Sequence, residues 1–481
     1  MESVASRNRW VALVVLCIGM LMIVLDQTIV NVALPSIQSD LGFSQSDLAW
    51  VVNAYLIPFG GLLLLAGRLG DLAGNKLVFL GGLAVFTLAS LLCGLAQSQE
   101  MLIGARFLQG AGGAMSSAVI LAMIVKMFPK PDEQARAIGI YAFVASAGAS
   151  IGLLAGGALT EAINWHWIFF VNVPIGIATA ILAYRLVDAD RGIGLQRGAD
   201  VLGALLVVIA LMLGVYTIVE AAERGWGSTH TLGFGALALA LLVGFVIREA
   251  RARTPLMPLR IFRNRVVAGA NLVQALMIVG LFGMFFLGAL YMQRVLGYGA
   301  IEVGLAFLPV ALLIGALSLG LSARLIVRFG ARRTLLPGLT LIAAGLVLFQ
   351  RAPVDGAYVT DLLPVMLLLG VGAGLSFPSL MTLAMSAATP SDAGLASGLV
   401  NTSAQVGGAL GLAVLATIST TRTETLLGNG ESTAAALTGG YQLAFALGAG
   451  VVVAALAFAL ALLWPGRGRD AHAEVGVAET A

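Results

Sequence analysis

Asp26 is the one carboxylate inside the apolar run 20–35, MLMIVLDQTIVNVALP, and its nearest acidic neighbours, Glu2 and Asp40, lie outside it. An ionised carboxylate at membrane depth costs roughly a few kcal/mol on insertion scales, so it persists where it is paired, protonated or facing water. Two chemistries fit: a protonatable group in a transport path, or a helix–helix hydrogen bond that only locks packing. The matching basic group is Arg106, inside the run 101–115, MLIGARFLQGAGGAM. If the first span runs outward and the fourth inward, Asp26 lies seven residues before Ala33 and Arg106 five after Met101. At a rise of 1.5 Å per residue, both sit roughly 8–10 Å inside the outer boundary. A buried Asp and a buried Arg at equal depth are natural partners. The arginine favours the charged carboxylate and desolvation favours the neutral one. A proton-coupled switch needs that opposition, because substrate or conformation can then tip it.

Other chemistries lack their residues. No G-x-x-x-x-G-K-[ST] occurs, so no loop of that type cradles a nucleotide phosphate, and uphill work would draw on a proton gradient with no cofactor. Gly110-Ala-Gly112 and Gly370-Val-Gly372-Ala-Gly374 imitate half a dinucleotide fingerprint, but they fall mid-span without a preceding strand and read as close helix packing. His166 and His230 lie at loop edges and His472 in the tail, so no histidine relay, metal site or Ser/His couple forms in the membrane. Cys17 and Cys93 are the only cysteines and both fall within spans, which excludes a disulfide framework. A membrane enzyme would need a reactive constellation beyond Asp26 and Arg106, and a scaffold would have no use for the buried charge.

The elements that position these charges follow from composition. With 481 residues, 59% apolar, 11% charged and a mean hydropathy of +0.98, the chain reads as an all-α polytopic membrane protein. Fourteen spans of about 21 residues would take roughly 61% of it. They are expected at 11–33, 47–66, 77–96, 101–125, 135–159, 167–187, 201–219, 231–247, 266–291, 303–323, 334–349, 362–385, 396–418 and 441–463. The even count puts both termini on one side. Only Arg224, Arg294, Arg351 and Arg422 then fall on the opposite face, while Arg248, Arg251, Arg253, Arg260, Arg263 and Arg265 cluster on the face of the termini. That asymmetry predicts cytoplasmic ends and a multi-pass protein of the inner (cell) membrane. The net charge of +3 is therefore topological and implies no nucleic-acid partner. Arg7 and Arg9 before a long apolar run read as the start of an uncleaved first span.

The chain also repeats itself. Gly67-Arg-Leu-Gly-Asp71-Leu-Ala-Gly74-Asn-Lys76 after span two is echoed by 323–333, ARLIVRFGARR, after span ten. Two six-span halves related by duplication are a basis for alternating access. The expected division is 1–190 for the first bundle, 191–260 for an inserted pair of spans, 261–466 for the second bundle and 467–481 for a disordered cytoplasmic tail.

The loop 67–76 resembles the signature between spans two and three of the major facilitator superfamily. Arg106 and Gly110 resemble its fourth-span motif, and 148–157, GASIGLLAGG, its fifth-span antiporter motif. The stretches 25–35, 165–176 (WHWIFFVNVPIG) and 392–411 are similar to the 14-span drug:proton antiporters. The resemblance implies a major facilitator fold, two six-helix bundles plus an inserted pair. It also implies export of a small hydrophobic drug or antibiotic in exchange for protons, by a monomer in the lipid bilayer. A lincosamide-like cargo is expected from overall similarity to self-resistance exporters, with an endogenous metabolite as the alternative. Asp26 and Arg106 would couple protons, Gly67, Asp71, Gly74 and Lys76 would form a cytoplasmic gate, and Gly148, Gly152, Gly156 and Gly157 would let helices approach closely.

Two departures stand out: Leu72 and Asn75 replace the usual basic residues, leaving Lys76, Arg68 or Arg136 as partners for Asp71, and Leu153 replaces the usual proline. Gln27, Asn31, Asn53, Tyr55 and Gln109, with Asn271, Gln274, Asn401 and Gln405, are candidates for a substrate cavity. Asn271/Gln274 and Asn401/Gln405 have helical spacing that equally suits interhelical hydrogen bonds. Trp165 and Trp167, at a span end, are expected to be interfacial anchors.

Overall fold

The computed structural model describes residues 2–44, 47–188, 190, 192, 194, 199–252, 255–256, 259–386 and 393–463. No strand occurs among them. The helices are α1 Glu2–Leu41, α2 Trp50–Ala73, α3 Asn75–Gly94, α4 Gln99–Met127, α5 Pro131–Ala162, α6 Trp167–Phe170, α7 Asn172–Leu186, α8 Val201–Arg224 and α9 Thr229–Arg251. They continue as α10 Arg265–Arg294, α11 Ala300–Ala316, α12 Ser322–Phe329, α13 Ala331–Phe349, α14 Leu363–Met385, α15 Ala393–Gly428 and α16 Thr433–Leu463. Beyond their end turns, helices satisfy their backbone amides within one segment, which hydrocarbon demands. Among the described residues, twelve segments are long and apolar enough to cross a membrane, and the shorter apolar helices Ile151–Ala162 and Ala300–Ala316 stand where spans five and ten are expected. A π turn, Leu317–Leu321, carries α11 into α12.

Local chemistry sets the ends. Ser98, Asp200, Ser228 and Asn264 accept from backbone amides of the first turns of α4, α8, α9 and α10, supplying partners to otherwise orphaned donors. The repeated loop motif folds twice into one joint. Gly74 (φ 104°) alone links α2 to α3, and Gly330 (φ 84°) alone links α12 to α13. Each glycine amide donates back to a carbonyl, Gly70 and Ile326, at 2.9 Å, and each glycine carbonyl accepts at 3.2 Å, from Val78 and Thr334. Only glycine takes that left-handed turn without strain.

In the first bundle α1 packs on α5, α4 lies between α2 and α3, and α7 covers α1 and α3; in the second, α10 packs on α15 and α16, and α13 on α14. The bundles meet along α5·α11 and α2·α15. At one end of the bundles Gln293 Nε2 donates to the Val32 carbonyl at 2.9 Å, and Glu161 accepts from the Ile301 amide at 3.2 Å. Nearer mid-helix, Thr402 Oγ1 donates to the Gly60 carbonyl at 3.1 Å. α8 lies over the α2·α15 seam: a Cβ on Gly61 would meet Val208 at 2.6 Å, and Thr417 Oγ1 donates to the Ile218 carbonyl at 3.2 Å. α9 packs on α8, and Asp200 pairs with Arg248 at 3.2 Å to close that hairpin. The tail 467–481, His472, Arg253 and Asp392 lie outside the described residues, as do parts of the junctions expected at 190 and 260.

Candidate functional site

Helices α1 to α4 and the start of α7 place the buried charge. Asp26 on α1 is 0% exposed and Arg106 on α4 is 1% exposed. Arg106 Nη1 donates to Asp26 Oδ2 at 2.5 Å and to Gln109 Oε1 at 2.7 Å, while its Nε donates to the Val51 carbonyl at 3.0 Å. Its guanidinium lies 4.4 Å from the Tyr55 ring centroid and 5.7 Å from that of Phe169, both favourable faces for a desolvated cation. Gln109 is three residues on from Arg106, hence on the same helix face. Its Nε2 donates to Asp26 Oδ1 at 2.7 Å and to Ser90 Oγ at 2.8 Å. Asn172, the first residue of α7, donates from Nδ2 to Asp26 Oδ1 at 3.0 Å. The carboxylate thus accepts three hydrogen bonds, and the arginine still holds two neutral acceptors besides it. A buried ion pair stands only when its remaining donors and acceptors are filled.

Gln109 and Tyr55, expected in a cavity, therefore belong to the charge centre. Asn172 and Ser90 join it unannounced by residue type, although Asn172 lies inside the stretch 165–176 singled out above. Trp165 is not an interfacial anchor: it is 3% exposed and donates to Asp40 at 2.9 Å, whereas Trp167 is 44% exposed.

The loop between α2 and α3 is tied down by a residue that the sequence did not mark. Asp190, just beyond α7, accepts from Asn75 Nδ2 at 2.7 Å, from Lys126 Nζ at 2.9 Å and from the Lys76 amide at 3.2 Å. Partial burial alone would raise its pKa; Lys126, the Asn75 and Lys76 backbone amides and the Asn75 side chain outweigh that and hold the carboxyl below the usual range. Asn75, where the family has a basic residue, is thus a donor to Asp190. Lys76 Nζ donates to the Tyr184 carbonyl at 2.8 Å, and Arg136 lies over Trp10, so neither pairs with Asp71. Asp71 is exposed and makes no ion pair among the described residues. A Cβ at Gly74 would meet the Asp190 carbonyl at 2.6 Å; nothing crowds Gly67.

The α5 glycines divide between two neighbours. A Cβ at Gly148 would press on Leu21 and Val24, at Gly152 on Thr28 and the Leu25 carbonyl, and at Gly156 on Ile29 and Val32, all on α1. Gly157 instead faces Ala300 and Ile301 at the start of α11, and Leu153 lies under Gly304. Of the remaining polar candidates, Asn271 accepts from Ser403 at 3.0 Å and donates to the Val267 carbonyl at 2.9 Å. Asn53 (both amide atoms), Gln274 Oε1 and Gln405 Oε1 are buried polar atoms without a protein hydrogen-bond partner among the described residues. Gln405 packs on α2 at Gly60, Asn31 is buried, Gln27 half-buried and Asn401 exposed.

The profile of the Major Facilitator Superfamily matches residues 16–412. The chain belongs to that superfamily. Among curated members, it is 41% identical to a puromycin resistance protein of Streptomyces alboniger over 95% of this chain and 92% of that one. It is 40% identical to a cephamycin export protein of Amycolatopsis lactamdurans, covering 85% and 84%. A lincomycin resistance protein of Streptomyces lincolnensis is 36% identical, covering 87% and 86%. Among solved structures, a POT family peptide transporter superposes with a TM-score of 0.68 at 17% identity, covering 96% and 98%. A bacterial homologue of the lysosomal transporter Spinster gives 0.66 at 18%, covering 95% and 97%. These two share the fold. As a superfamily member the chain is a multi-pass membrane transporter, not an enzyme.

Proposed function

We propose that this superfamily member is a proton-coupled antiporter that exports a small hydrophobic antibiotic by alternating access, as a fourteen-span monomer with both termini in the cytoplasm. The observation that carries the reading is the fully buried Asp26–Arg106 pair, held at 2.5 Å inside the first bundle. Such a pair is weak evidence for stability, since a well-packed apolar replacement is often as stable. Its use is as a switch. Protonation of Asp26 removes its charge and loosens the pair, while Arg106 keeps Gln109 Oε1 and the Val51 carbonyl as acceptors and two aromatic faces around it. The carrier can therefore pass between charged and neutral states of Asp26 without stranding the arginine.

In the proposed cycle, drug enters from the cytoplasm or inner leaflet as Asp26 loses its proton, the bundles rock, and protonation from outside resets the carrier. Asn53, Gln274 and Gln405, with unfilled polar atoms on α2, α10 and α15, are the proposed drug contacts, and Asp71 the proposed cytoplasmic gate. The drugs for which the relatives are named (puromycin, cephamycin, lincomycin) differ in chemistry. They support an antibiotic as a class and include the lincosamide type expected above.

Expression in an efflux-deficient host, challenged with a panel that includes these three drugs, tests the reading. Resistance to at least one drug, abolished when the proton gradient is collapsed, is the expected result. No change in susceptibility to any drug, or resistance that survives collapse of the gradient, would sink it.

A further inference from the structure

All three hydrogen bonds to Asp26 come from donors: Arg106 Nη1, Gln109 Nε2 and Asn172 Nδ2. This shell is complete for a carboxylate. It is incomplete for a carboxylic acid, whose new O–H needs an acceptor in a dry site. Gln109 Oε1 is occupied, taking Arg106 Nη1 at 2.7 Å and Cys93 Sγ at 3.5 Å. Ser90 Oγ takes Gln109 Nε2 at 2.8 Å, and the Val51 carbonyl takes Arg106 Nε. Asn172 Oδ1 is buried, the residue is 0% exposed, and this oxygen has no hydrogen-bond partner among the described residues. A half-turn of the Asn172 amide about its terminal torsion exchanges Nδ2 for Oδ1 against Asp26.

We propose that Asn172 is the acceptor for the protonated form of Asp26, donating through Nδ2 when the carboxylate is charged and accepting through Oδ1 when it is neutral. The inference rests on the coupling role proposed for Asp26. It assigns to Asn172 what neither Arg106 nor Gln109 can do, since Arg106 has no acceptor atom and Gln109 is engaged at both ends. The titratable or charged groups facing Asp26 are Arg106 on α4, Tyr55 on α2 and Cys93 on α3. α5 presents Gly148, Gly152 and Gly156 to α1, and α7 brings Asn172 alone of polar groups within hydrogen-bond reach. Asn172 is the first residue of α7, with one residue between it and the end of α6 at Phe170.

The consequence has a sign. Without Asn172 the charged form loses one donor of three, whereas the neutral form loses its acceptor altogether. Protonation should therefore become harder. The full-length protein, purified without any drug, is titrated by infrared spectroscopy, following the carboxylic-acid C=O band that disappears in Asp26→Asn. In Asn172→Leu, which keeps the volume and removes both functions, the titration midpoint is expected about one pH unit lower, roughly a tenfold higher proton concentration. Asn172→Ser, which retains a small accepting oxygen, is expected to shift the same way by less, and serves if the leucine variant does not insert. An asparagine that merely orients the carboxylate would shift the midpoint to higher pH, and one that only packs would leave it in place. Either result overturns the proposal. If the wild-type band shows no Asp26 titration at all, the coupling reading falls and this inference with it. If it titrates normally and only the Asn172 shift is missing, the inference falls alone.

Discussion

Arg106 works through three separate donor directions, and this separates it from a lysine at the same place. Nη1 serves Asp26 and Gln109 while Nε reaches the Val51 carbonyl on another helix, and the flat guanidinium lies against Tyr55. A lysine ammonium is a point charge that keeps the ion pair but not the fork. Arg106→Lys is expected to insert and fold yet lose at least roughly tenfold in proton-driven efflux, the equivalent of one charge-assisted hydrogen bond. Vesicle transport compared with drug binding checks this; unchanged transport would show that charge alone suffices. The pair itself was legible in the sequence because ionisable residues within apolar runs are rare and their depths could be counted. Its supporting amides were not. A glutamine or asparagine in a span serves packing or ligands equally well, so residue type alone does not tie Gln109 or Asn172 to the charge centre. Asp190 was invisible for the opposite reason: an acidic residue in a cytoplasmic loop is ordinary until its three donors are seen.

At the scale of elements, α5 acts as a two-sided spacer: three glycines seat α1, which carries Asp26, and Gly157 seats α11 of the other bundle. A Cβ at Gly152 would run into the Thr28 hydroxyl and lie 2.8 Å from the Leu25 carbonyl, which cannot yield as a side-chain end can. Gly152→Val should therefore destabilise the folded carrier by about 1–3 kcal/mol, visible as a lower thermal midpoint in detergent. Gly67→Ala, in open space, should leave the midpoint unchanged to within about 0.5 kcal/mol. Equal effects at the two sites would refute the packing argument.

The loop anchor carries its own pH signature. The Asp190 carboxyl is held below the usual range, so the stability it adds is fully present above its unfolded value of about 3.9 and is lost as pH falls through the lower folded value. Asp190→Asn should cost about 1–2 kcal/mol at neutral pH and progressively less in acid. A deficit that stays constant down to strongly acidic pH would show that the anchor does not depend on charge. The sequence repeat foretold the loop joints well, since a glycine between two helices has few alternatives, and Gly74 and Gly330 adopt the same turn.

For the whole molecule, α5·α11 and α2·α15 are the main seams between the bundles, and α8 lies over the second. The fold class was readable from composition, span spacing and charge asymmetry, because hydrocarbon leaves a chain few options. The span count was harder, since α11 is short and passes through a π turn into α12. Stoichiometry follows from the distribution of charge. Asp26 is the carboxylate inside a bundle, whereas the other acids buried among the described residues, Asp200 and Glu249, lie at the ends of α8 and α9. One central carboxylate couples one proton per cycle most simply and cannot neutralise two charges in a low-dielectric cavity. Dications should therefore be exported more slowly than monovalent analogues; equal rates with two protons returned would contradict this and implicate a second acid.

The central claim is that drug and proton compete through Asp26. Its most direct test is the proton count when the drug chosen by the susceptibility panel is added to the purified, weakly buffered full-length protein. The wild type should release up to about one proton per carrier, depending on how far Asp26 is protonated at the starting pH, whereas Asp26→Asn should release none while still binding the drug. Equal proton release from the variant, or drug binding by the wild type with no release at any starting pH, would contradict the account.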